Sequence, residues 1–381
     1  MLVGTVRRLA APVPFLDLNA MRLELEGELE RTVAGVVESG WYLLGAELDA
    51  FEEDFARYCG VRHCVGVASG MSAIELTLLA AGIGPGDEVI VPAYTFIATW
   101  LAVSRTGATP IGVDVVEGTY NIDPSQIEAA ITDRTAAIVP VHLRGEPADM
   151  DAIGRIAAAA DLLVVEDAAQ AVGAGYGGRR VGGIGDATAF SFYPTKNLGS
   201  LGDAGAVTTD DGELAARLRR LRNYGMRDRH EIEEAGVNAR LSEIQAAVLR
   251  LLLPLLDDWN RIRGSLAELY RDAFADHGTI ALPAATERAE PVWHLFVIGH
   301  PDRERCAEAL AAEGIETLVH YPVLPHLSGP YRDEWPRGSF PVAERLADRA
   351  LSLPLYPQLD PAACERVAAA VLATVPAPAS P

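Results

Sequence analysis

Between residues 64 and 208 the chain alternates short apolar runs with stretches of helical periodicity. Parallel strands need a long crossover between them, and an intervening helix supplies it. The alternation therefore predicts an α/β fold with a large, mostly parallel seven-stranded sheet flanked by helices. In such sheets ligands bind at the carboxyl ends of the strands, so the residues after each run are candidates for chemistry. The candidate strands are 64–68, 88–91, 109–113, 136–141, 162–166, 187–192 and 204–208.

The length of the chain predicts more than one domain. A chain of 381 residues exceeds one ordinary hydrophobic core. After Pro283 the pattern changes to a strand, a helix and a Pro-rich loop, as expected for a smaller C-terminal α+β domain. We expect an N-terminal arm over 1–20, a large domain over 21–250, a small domain over 251–375 and a disordered tail over 376–381.

The composition narrows the class of protein. A formal net charge of −21 argues against a nucleic-acid surface and against binding to anionic membranes. The sequence has no basic segment followed by an apolar stretch and no apolar run of membrane-spanning length, so we expect a cytoplasmic location. The four cysteines form no C-x-x-C pair, which predicts reduced thiols and no metal site.

Lysine is nearly absent from the chain. Of the 32 Lys and Arg residues, 31 are Arg, and Lys196 is the one Lys. Arginine can replace lysine as a surface cation, but it does not lose its proton at working pH to become a nucleophilic amine. A single retained lysine therefore indicates chemistry that needs a primary amine, such as a Schiff base to a carbonyl or to pyridoxal phosphate. The alternative is a stray lysine on a surface loop.

Residues at or just after the ends of three of the strands suit a phosphate-bearing ring. Gly70 and Met71 open a helix, where free amides bind anions, although ordinary capping is the alternative. Asp167 follows an apolar strand, where a carboxylate can pair with the pyridine nitrogen of pyridoxal phosphate; a solvated strand end is the alternative. Ser191 lies five residues before Lys196 and can donate its hydroxyl to the phosphate.

Two other segments have an ambiguous pattern. Phe96 follows the second strand and can stack on a cofactor ring, but a core phenylalanine has the same pattern. Gly173, Gly175 and Gly178 match G-x-G-x-x-G, the dinucleotide fingerprint. That fingerprint requires a helix directly afterwards, and residues 179–185 have no helical pattern, which argues against a nicotinamide site.

Three longer motifs agree in order and spacing: EDAAQA at 166–171, SFYPTKNLG at 191–199 and NARLSEIQA at 238–246. With them, the chain from residues 13–18 to 351–354 resembles the DegT/DnrJ family of PLP-dependent nucleotide-sugar aminotransferases, which have the aspartate aminotransferase fold (fold type I). The resemblance implies transfer of an amino group from an amino acid to a keto group of a nucleotide-linked deoxysugar. Glutamate is the expected donor and dTDP the expected nucleotide.

The resemblance implies roles around the cofactor ring. Lys196 would form the Schiff base with pyridoxal phosphate and then move a proton between C4′ of the cofactor and the sugar carbon. Asp167 would pair with the ring nitrogen, which makes these two the catalytic residues. Gln170 would lie beside the ring or the substrate, and Phe96 would stack on the ring. The pyridoxamine form of the cofactor would carry the amino group between the two half-reactions.

The resemblance also implies a phosphate site and a dimer. The Ser191 hydroxyl and the amides of Gly70 and Met71 would hold the phosphate. Relatives usually have a hydroxyl residue at the position of Met71, so only the backbone amide would serve there. Asn238 would reach the phosphate of the other subunit, which implies a homodimer whose subunits share their active sites.

Candidate substrate contacts come from three segments. Relatives contact substrate at the segment that corresponds to His320 and Tyr321. Arg144 stands where relatives usually have an aromatic residue, and it would alter the shape or charge of the sugar pocket. The diphosphate of a nucleotide sugar needs cations, which the loop before Asn238 offers, with solvated loop charges as the alternative. The candidate substrate residues are Arg144, Arg227, Arg229, His230, His320 and Tyr321.

Two other functions fit parts of the sequence. A PLP-dependent keto-deoxysugar dehydratase shares the fold, but relatives of that kind replace the Schiff-base lysine with histidine, so Lys196 argues against it. A regulator that binds the cofactor without turnover is the second alternative. No basic surface or DNA-binding segment in the sequence supports it.

Overall fold

The computed structural model describes residues 11–228 and 230–376. Most of the expected N-terminal arm, Arg229 and nearly all of the expected C-terminal tail lie outside the described residues. The strands are β1 His63–Val67, β2 Glu88–Pro92, β3 Thr109–Val113, β4 Thr135–Ile138, β5 Leu163–Asp167, β6 Gly175–Tyr176, β7 Arg179–Arg180, β8 Ala187–Ser191, β9 Gly205–Thr209, β10 Ala289–Glu290, β11 Phe296–Gly299 and β12 Ala350–Leu353. The helices are α1 Leu18–Glu24, α2 Glu28–Ser39, α3 Ala46–Cys59, α4 Gly70–Ala80, α5 Ile97–Thr106, α6 Pro124–Ala130, α7 Met150–Ala160, α8 Gly212–Leu221, α9 Glu243–Leu252, α10 Leu256–Phe274, α11 Arg303–Ala312, α12 Pro341–Arg349 and α13 Pro361–Leu372.

A seven-stranded sheet in the order β1-β9-β8-β5-β4-β2-β3 confirms the expected fold class. All its strands run in one direction except β9, which is antiparallel to both of its neighbours. The exception has a simple cause. The connection from β8 to β9 contains no helix, so the chain reverses instead of crossing over. This connection carries Lys196 past the carboxyl end of β8.

The strands of the large sheet are buried, as expected for a sheet covered on both faces. Every residue of β2, β8 and β9 is buried. Helix α4 is also buried along most of its length, which explains why it is apolar on all sides rather than amphipathic. The large sheet therefore provides a rigid edge at which side chains can be held.

The C-terminal part of the chain is built from α10 to α13 and a small sheet. Pro254 lies in a short 3₁₀ helix, Leu253–Leu255, which separates α9 from α10 because proline lacks the amide that a continuous helix requires. Strands β11 and β12 pair antiparallel, and α10, α11 and α13 contribute to the same hydrophobic cluster as these strands. This is the expected α+β arrangement, while the exact domain limits remain a prediction.

The glycine-rich segment after β5 folds as a hairpin. Strands β6 and β7 pair with each other, and β10 pairs with β6 on its other side. A strand rather than a helix therefore follows Gly178, and the geometry required of the dinucleotide fingerprint is not met.

Candidate active site

The carboxyl edge of the large sheet forms one wall of a cavity of about 570 Å³. Strand β5 ends at Asp167, β8 ends at Ser191, and the loop after β8 carries Lys196. The residues singled out from the sequence that line this cavity are Gly70, Met71, Phe96, Asp167, Gln170, Ser191, Lys196, His320 and Tyr321. Topology explains the grouping, because the ends of parallel strands meet at one edge of the sheet.

The environment of Lys196 favours a neutral amine. Burial lowers the pKa of its ammonium group from 10.5 to about 8, and the nearby Asp167 carboxylate acts in the opposite direction. The loop is held in place by backbone hydrogen bonds, from Lys196 N to the Tyr193 carbonyl at 2.8 Å and from Ser200 N to the Phe192 carbonyl at 2.8 Å. Lys196 therefore has the low pKa that an amine nucleophile and proton carrier needs.

Asp167 is a buried carboxyl group, and none of the described residues places a cation in a salt bridge with it. Its Oδ2 accepts a hydrogen bond from the Thr99 hydroxyl at 2.8 Å, and its Oδ1 accepts one from Ala169 N at 3.1 Å. Burial raises the pKa of Asp167, although these hydrogen bonds and Lys196 lower it in part. No salt bridge to Asp167 occurs in the described part of the chain, so a protonated pyridine nitrogen would supply the missing partner.

Glu166, next to Asp167, points to the opposite face of β5, and its hydrogen bonds on that face hold the strand in place. Burial opposes its ionisation, but hydrogen bonds from His142, Gly185 and Thr188 lower the pKa of Glu166. His142 Nδ1 accepts a hydrogen bond from Ala148 N at 3.1 Å, so its Nε2 carries the proton and donates to Glu166 at 2.8 Å. This network holds the end of β5, and with it Asp167, in position.

A phosphate-sized cradle lies at the start of α4. The Ser69 side chain caps the helix by accepting from Ser72 N at 3.1 Å, and the first amides, those of Gly70 and Met71, have no partner within the helix. Gly70 packs so closely on Ser191 that an added Cβ would lie 2.7 Å from the Ser191 Cβ. The helix N-terminus and a serine hydroxyl thus converge as an anion site requires.

Aromatic and amide groups form the opposite wall of the cavity. Phe96 is 54% exposed at the start of α5, and its ring centroid lies 5.4 Å from that of Tyr321. Gln170 Nε2 donates to the Tyr321 hydroxyl at 2.8 Å. The Tyr94 hydroxyl donates to the His320 carbonyl at 2.7 Å and accepts from Tyr321 N at 3.2 Å, which ties the 320–321 segment to the large sheet.

Other predicted residues do not line this cavity. Asn238 is exposed, and its Oδ1 accepts a hydrogen bond from Arg240 Nε at 3.0 Å. Arg227 is exposed and paired with Glu233 at 3.1 Å, and His230 is exposed in the same loop. Arg229 lies outside the described residues. For this loop to contact a ligand in the cavity, either the loop must move or it must come from a second subunit.

Arg144 contacts the site through its backbone. Its φ of 61° turns the buried side chain towards Thr119, whose carbonyl accepts from Nη2 at 2.6 Å, and the guanidinium lies 4.0 Å from the centroid of the Tyr120 ring. The Arg144 amide donates to Gln170 Oε1 at 2.5 Å. In this conformation the guanidinium does not line the cavity that contains Lys196.

Sequence reasoning missed several residues that line the cavity, among them Thr99, Asp203 and His294. Thr99, which bonds Asp167, lies one helical turn after Phe96, and the helix period could have revealed it. His294 lines the cavity, and its Nδ1 is 3.1 Å from Asn197 Oδ1. No motif identifies His294, since a histidine before an apolar strand is usually a packing residue.

The residues around the cavity fit pyridoxal phosphate. They offer an anion cradle, exposed aromatic rings, a buried carboxylate that lacks a cation and the one lysine of the chain. In the described part of the chain, no group of three or more His, Cys, Asp or Glu could hold a metal ion. No helix there is both long and apolar enough to cross a membrane. The site therefore fits a pyridoxal phosphate enzyme.

Sequence comparison identifies the family. The model of the DegT/DnrJ/EryC1/StrS aminotransferase family matches residues 24–372, and the chain belongs to this family. It is 53% identical over 362 residues to the erythromycin biosynthesis sensory transduction protein EryC1 of Saccharopolyspora erythraea, covering 95% of this chain and 99% of that protein. It is also 53% identical over 360 residues to the dTDP-3-amino-3,4,6-trideoxy-alpha-D-glucose transaminase of Streptomyces venezuelae, covering 94% and 95%.

Solved structures agree with this assignment. S. venezuelae DesV in complex with a ketimine intermediate superposes with a TM-score of 0.93 at 53% identity, covering 95% of this chain and 98% of DesV. NtdA of Bacillus subtilis, with the bound cofactor PMP, gives a TM-score of 0.89 at 34% identity over 96% of this chain and 86% of NtdA. The chain is therefore a PLP-dependent aminotransferase of fold type I, as the sequence predicted.

Proposed function

We propose that this enzyme transfers an amino group from L-glutamate to a keto group of a dTDP-linked deoxysugar. The observation that carries the proposal is the meeting of Lys196, the one lysine, with Asp167 at a single cavity. The names of the S. venezuelae transaminase and of a second relative, the dTDP-3-amino-3,6-dideoxy-alpha-D-galactopyranose transaminase of Aneurinibacillus thermoaerophilus at 49% identity, support the substrate class. They favour a keto group at C3.

Each site residue has a definite task in this reaction. Bound pyridoxal phosphate supplies an electron sink for the substrate carbon. The Asp167 carboxylate holds a proton on the ring nitrogen, and Thr99 orients that carboxylate. The Gly70 and Met71 amides and the Ser191 hydroxyl bind the phosphate. Lys196 Nζ removes the proton from the amine-bearing carbon of the donor and delivers a proton to the sugar carbon in the second half-reaction.

We further propose a homodimer with shared active sites. Asn238 is exposed and outside the cavity of its own chain, which suits a contact to the cofactor phosphate of a second copy. Consecutive apolar side chains, Trp41 and Tyr42, are 58% and 50% exposed, as expected for residues that a partner covers. Arg227 and His230 would approach the nucleotide from the same loop. A cytoplasmic location remains a prediction from the sequence.

Turnover distinguishes this proposal from the alternatives. A dehydratase would release water without taking nitrogen from glutamate, and the presence of Lys196 argues against it. A cofactor-binding regulator would show no transfer, and the description of EryC1 as a sensory transduction protein makes that alternative worth testing. Formation of an amino sugar from a 3-keto dTDP-deoxysugar, followed by mass spectrometry with ¹⁵N-glutamate, would exclude both.

The absorbance spectrum of the purified protein with pyridoxal phosphate gives the first test. We expect a visible band in the wild type that glutamate bleaches, and no such band in Lys196→Arg. A matched control is the double variant Lys196→Arg, Arg57→Lys, which returns one lysine to an exposed helix position and should also lack the band. If the wild type forms no band, or if the control forms it, Lys196 is not the anchoring residue.

A further inference from the structure

A second cavity adjoins the cavity that contains Lys196. It has a volume of about 340 Å³ and shares Thr195, His294 and His320 with the first cavity. Most of its other lining residues are apolar, but Arg263 of α10 is among them. A buried cation in an apolar cavity beside the reactive amine requires an explanation.

The described residues give Arg263 no negatively charged partner. Its side chain is buried, and burial lowers the pKa of its guanidinium to about 10. All of its hydrogen bonds run from Nη1 to backbone carbonyls, the shortest to Leu355 at 2.8 Å, and Nε has no partner. A buried cation without a counterion is costly, so a bound anion would be favoured.

The shape of the guanidinium indicates which anion would bind. Because Nη1 is occupied by carbonyls and Nε is buried, Nη2 is the nitrogen left to donate to a ligand, and a carboxylate oxygen can accept from it in a charge-assisted hydrogen bond. The one acid on the cavity wall, Glu316, is exposed, accepts a hydrogen bond from Phe15 N at 3.0 Å and makes no salt bridge with Arg263. The inner end of the cavity is therefore positively charged.

His294 separates the two cations as a neutral ring. Asn197 Nδ2 donates to Asn260 Oδ1 at 2.8 Å and to the Val292 carbonyl at 3.0 Å, so Asn197 Oδ1 is the atom that faces His294 Nδ1 and accepts a hydrogen bond from it. Burial, together with the positive charges of Lys196 and Arg263, lowers the pKa of His294 well below its usual value. The passage between the cavities therefore carries no additional cation.

We propose that the second cavity binds a carboxylate of the amino donor and that Arg263 is the residue that recognises it. This inference rests on the proposed aminotransferase function and names the subsite of its donor. An acidic amino acid can place its amine at Lys196 while a carboxylate lies against Arg263. The keto sugar has no carboxylate, so Arg263 serves the donor half-reaction only.

The two half-reactions of Arg263→Gln, measured separately, test the proposal. We expect the apparent affinity for glutamate to fall about tenfold to a hundredfold, as for loss of a charge-assisted hydrogen-bonded pair. The half-reaction of the dTDP-amino sugar with the same cofactor-loaded variant should stay within about twofold of wild type. Arg261→Gln is the matched control, because Arg261 lies on the same helix, is exposed and pairs with Asp258.

Binding of succinate, a dicarboxylate that cannot react, provides a readout that does not depend on turnover. Calorimetry on the cofactor-loaded enzyme should detect succinate binding in wild type and Arg261→Gln, and strongly weakened binding in Arg263→Gln. If Arg263→Gln fails to fold, Leu318→Glu replaces it, because Leu318 is 48% exposed on the wall of the second cavity and an added carboxylate there repels the anion.

The outcomes separate the two proposals. The donor subsite would be overturned if Arg263→Gln lowered the apparent affinity equally in both half-reactions, or if succinate binding were unchanged in Arg263→Gln and Leu318→Glu. Arg263 would then be a structural residue. The proposed function would still stand, since wild type would transfer nitrogen to the sugar. If wild type carries out neither half-reaction but binds succinate through Arg263, the cavity is a carboxylate site and the aminotransferase proposal is the one that fails.

Discussion

At the scale of single residues, the candidate site holds two buried groups whose charged forms are opposite in sign. Burial shifts the pKa of Lys196 and that of Asp167 towards their neutral forms, downwards for the amine and upwards for the carboxyl. Each group also favours the charged form of the other. A protonated ring nitrogen next to Asp167 would satisfy the carboxylate and leave Lys196 free to act as a neutral amine.

The single lysine makes its pKa directly measurable. In protein stripped of cofactor and labelled with ¹⁵N-lysine, one Nζ signal should report Lys196 alone. We expect its titration midpoint at about 8 in the folded protein, against the ordinary value of 10.5 in the urea-unfolded chain. Coincident midpoints in the folded and unfolded chains would contradict the burial of the amine.

The same shift predicts how stability depends on pH. Between pH 8 and 10.5 the unfolded chain holds a proton on Lys196 that the folded chain has lost. The contribution of Lys196 to the free energy of unfolding therefore rises with pH across this window. Urea denaturation of cofactor-free wild type and Lys196→Met at several pH values measures it. The free energy of unfolding of wild type, relative to that of Lys196→Met, should increase as the pH rises. A difference that stays constant with pH would argue against the predicted pKa.

At the scale of elements, two short connections create the site. The loop from β8 to β9 reverses the chain and presents Lys196, while the turn from β1 to α4 presents free amides at a helix start. These elements meet where Gly70 lies against Ser191, and that contact leaves no room for a side chain. A cofactor phosphate bound here would therefore depend on the spacing between a helix and a strand.

Gly70→Ala should disturb that spacing. The new Cβ would lie 2.7 Å from the Ser191 Cβ, so α4 or Ser191 must shift. We expect the dissociation constant for pyridoxal phosphate to rise by about tenfold or more, which corresponds to roughly 1.4 kcal/mol. Fluorescence or absorbance titration of cofactor-free protein measures the change.

Gly154→Ala is the matched control for this substitution. Gly154 lies within α7, and no atom lies within 4 Å of the position that its Cβ would take. Alanine there should leave cofactor affinity unchanged and raise stability by about 0.5–1 kcal/mol, since glycine destabilises helix interiors. Equal cofactor affinity in Gly70→Ala and Gly154→Ala would show that the contact with Ser191 does not shape the phosphate site.

At the scale of the whole molecule, one chain supplies most of the proposed cofactor site but leaves Asn238 outside the cavity that contains Lys196. The exposed apolar residues Trp41 and Tyr42 leave a further surface to be covered. A second copy placed against this face would account for both observations. The net charge of −21 also means that cations for a nucleotide would have to be local, and the loop that holds Arg227 would offer one.

Mixing two inactive variants tests for shared sites. Lys196→Arg removes the amine of one site, and Asn238→Ala removes the contact that a chain makes to its partner's site. If subunits exchange at random, half of the dimers are mixed and each holds one intact site, so activity should return to about a quarter of wild type. Activity that stays at the level of the separate variants would contradict a site shared through Asn238. Sedimentation velocity of each variant confirms that dimers have formed.

Much of the fold followed from local pattern. Each of the seven strands of the large sheet was anticipated within a few residues, because apolar runs and helical periodicity reflect burial at short range. The class of cofactor also followed, since the one lysine pointed to chemistry that needs a primary amine, while the role of Lys196 itself stays a prediction. The motifs around Lys196 and Asp167 then led to the family, which the match over residues 24–372 confirms.

The tertiary structure decided what depends on distant residues. The order of the strands and the reversed direction of β9 arise from pairing between segments far apart in sequence. Sequence placed Arg144 near the sugar, but a left-handed backbone and the Tyr120 ring turn its side chain away from the cavity. Sequence likewise could not show that Arg263 lines the second cavity without a counterion, because burial and missing partners exist only once the chain has folded.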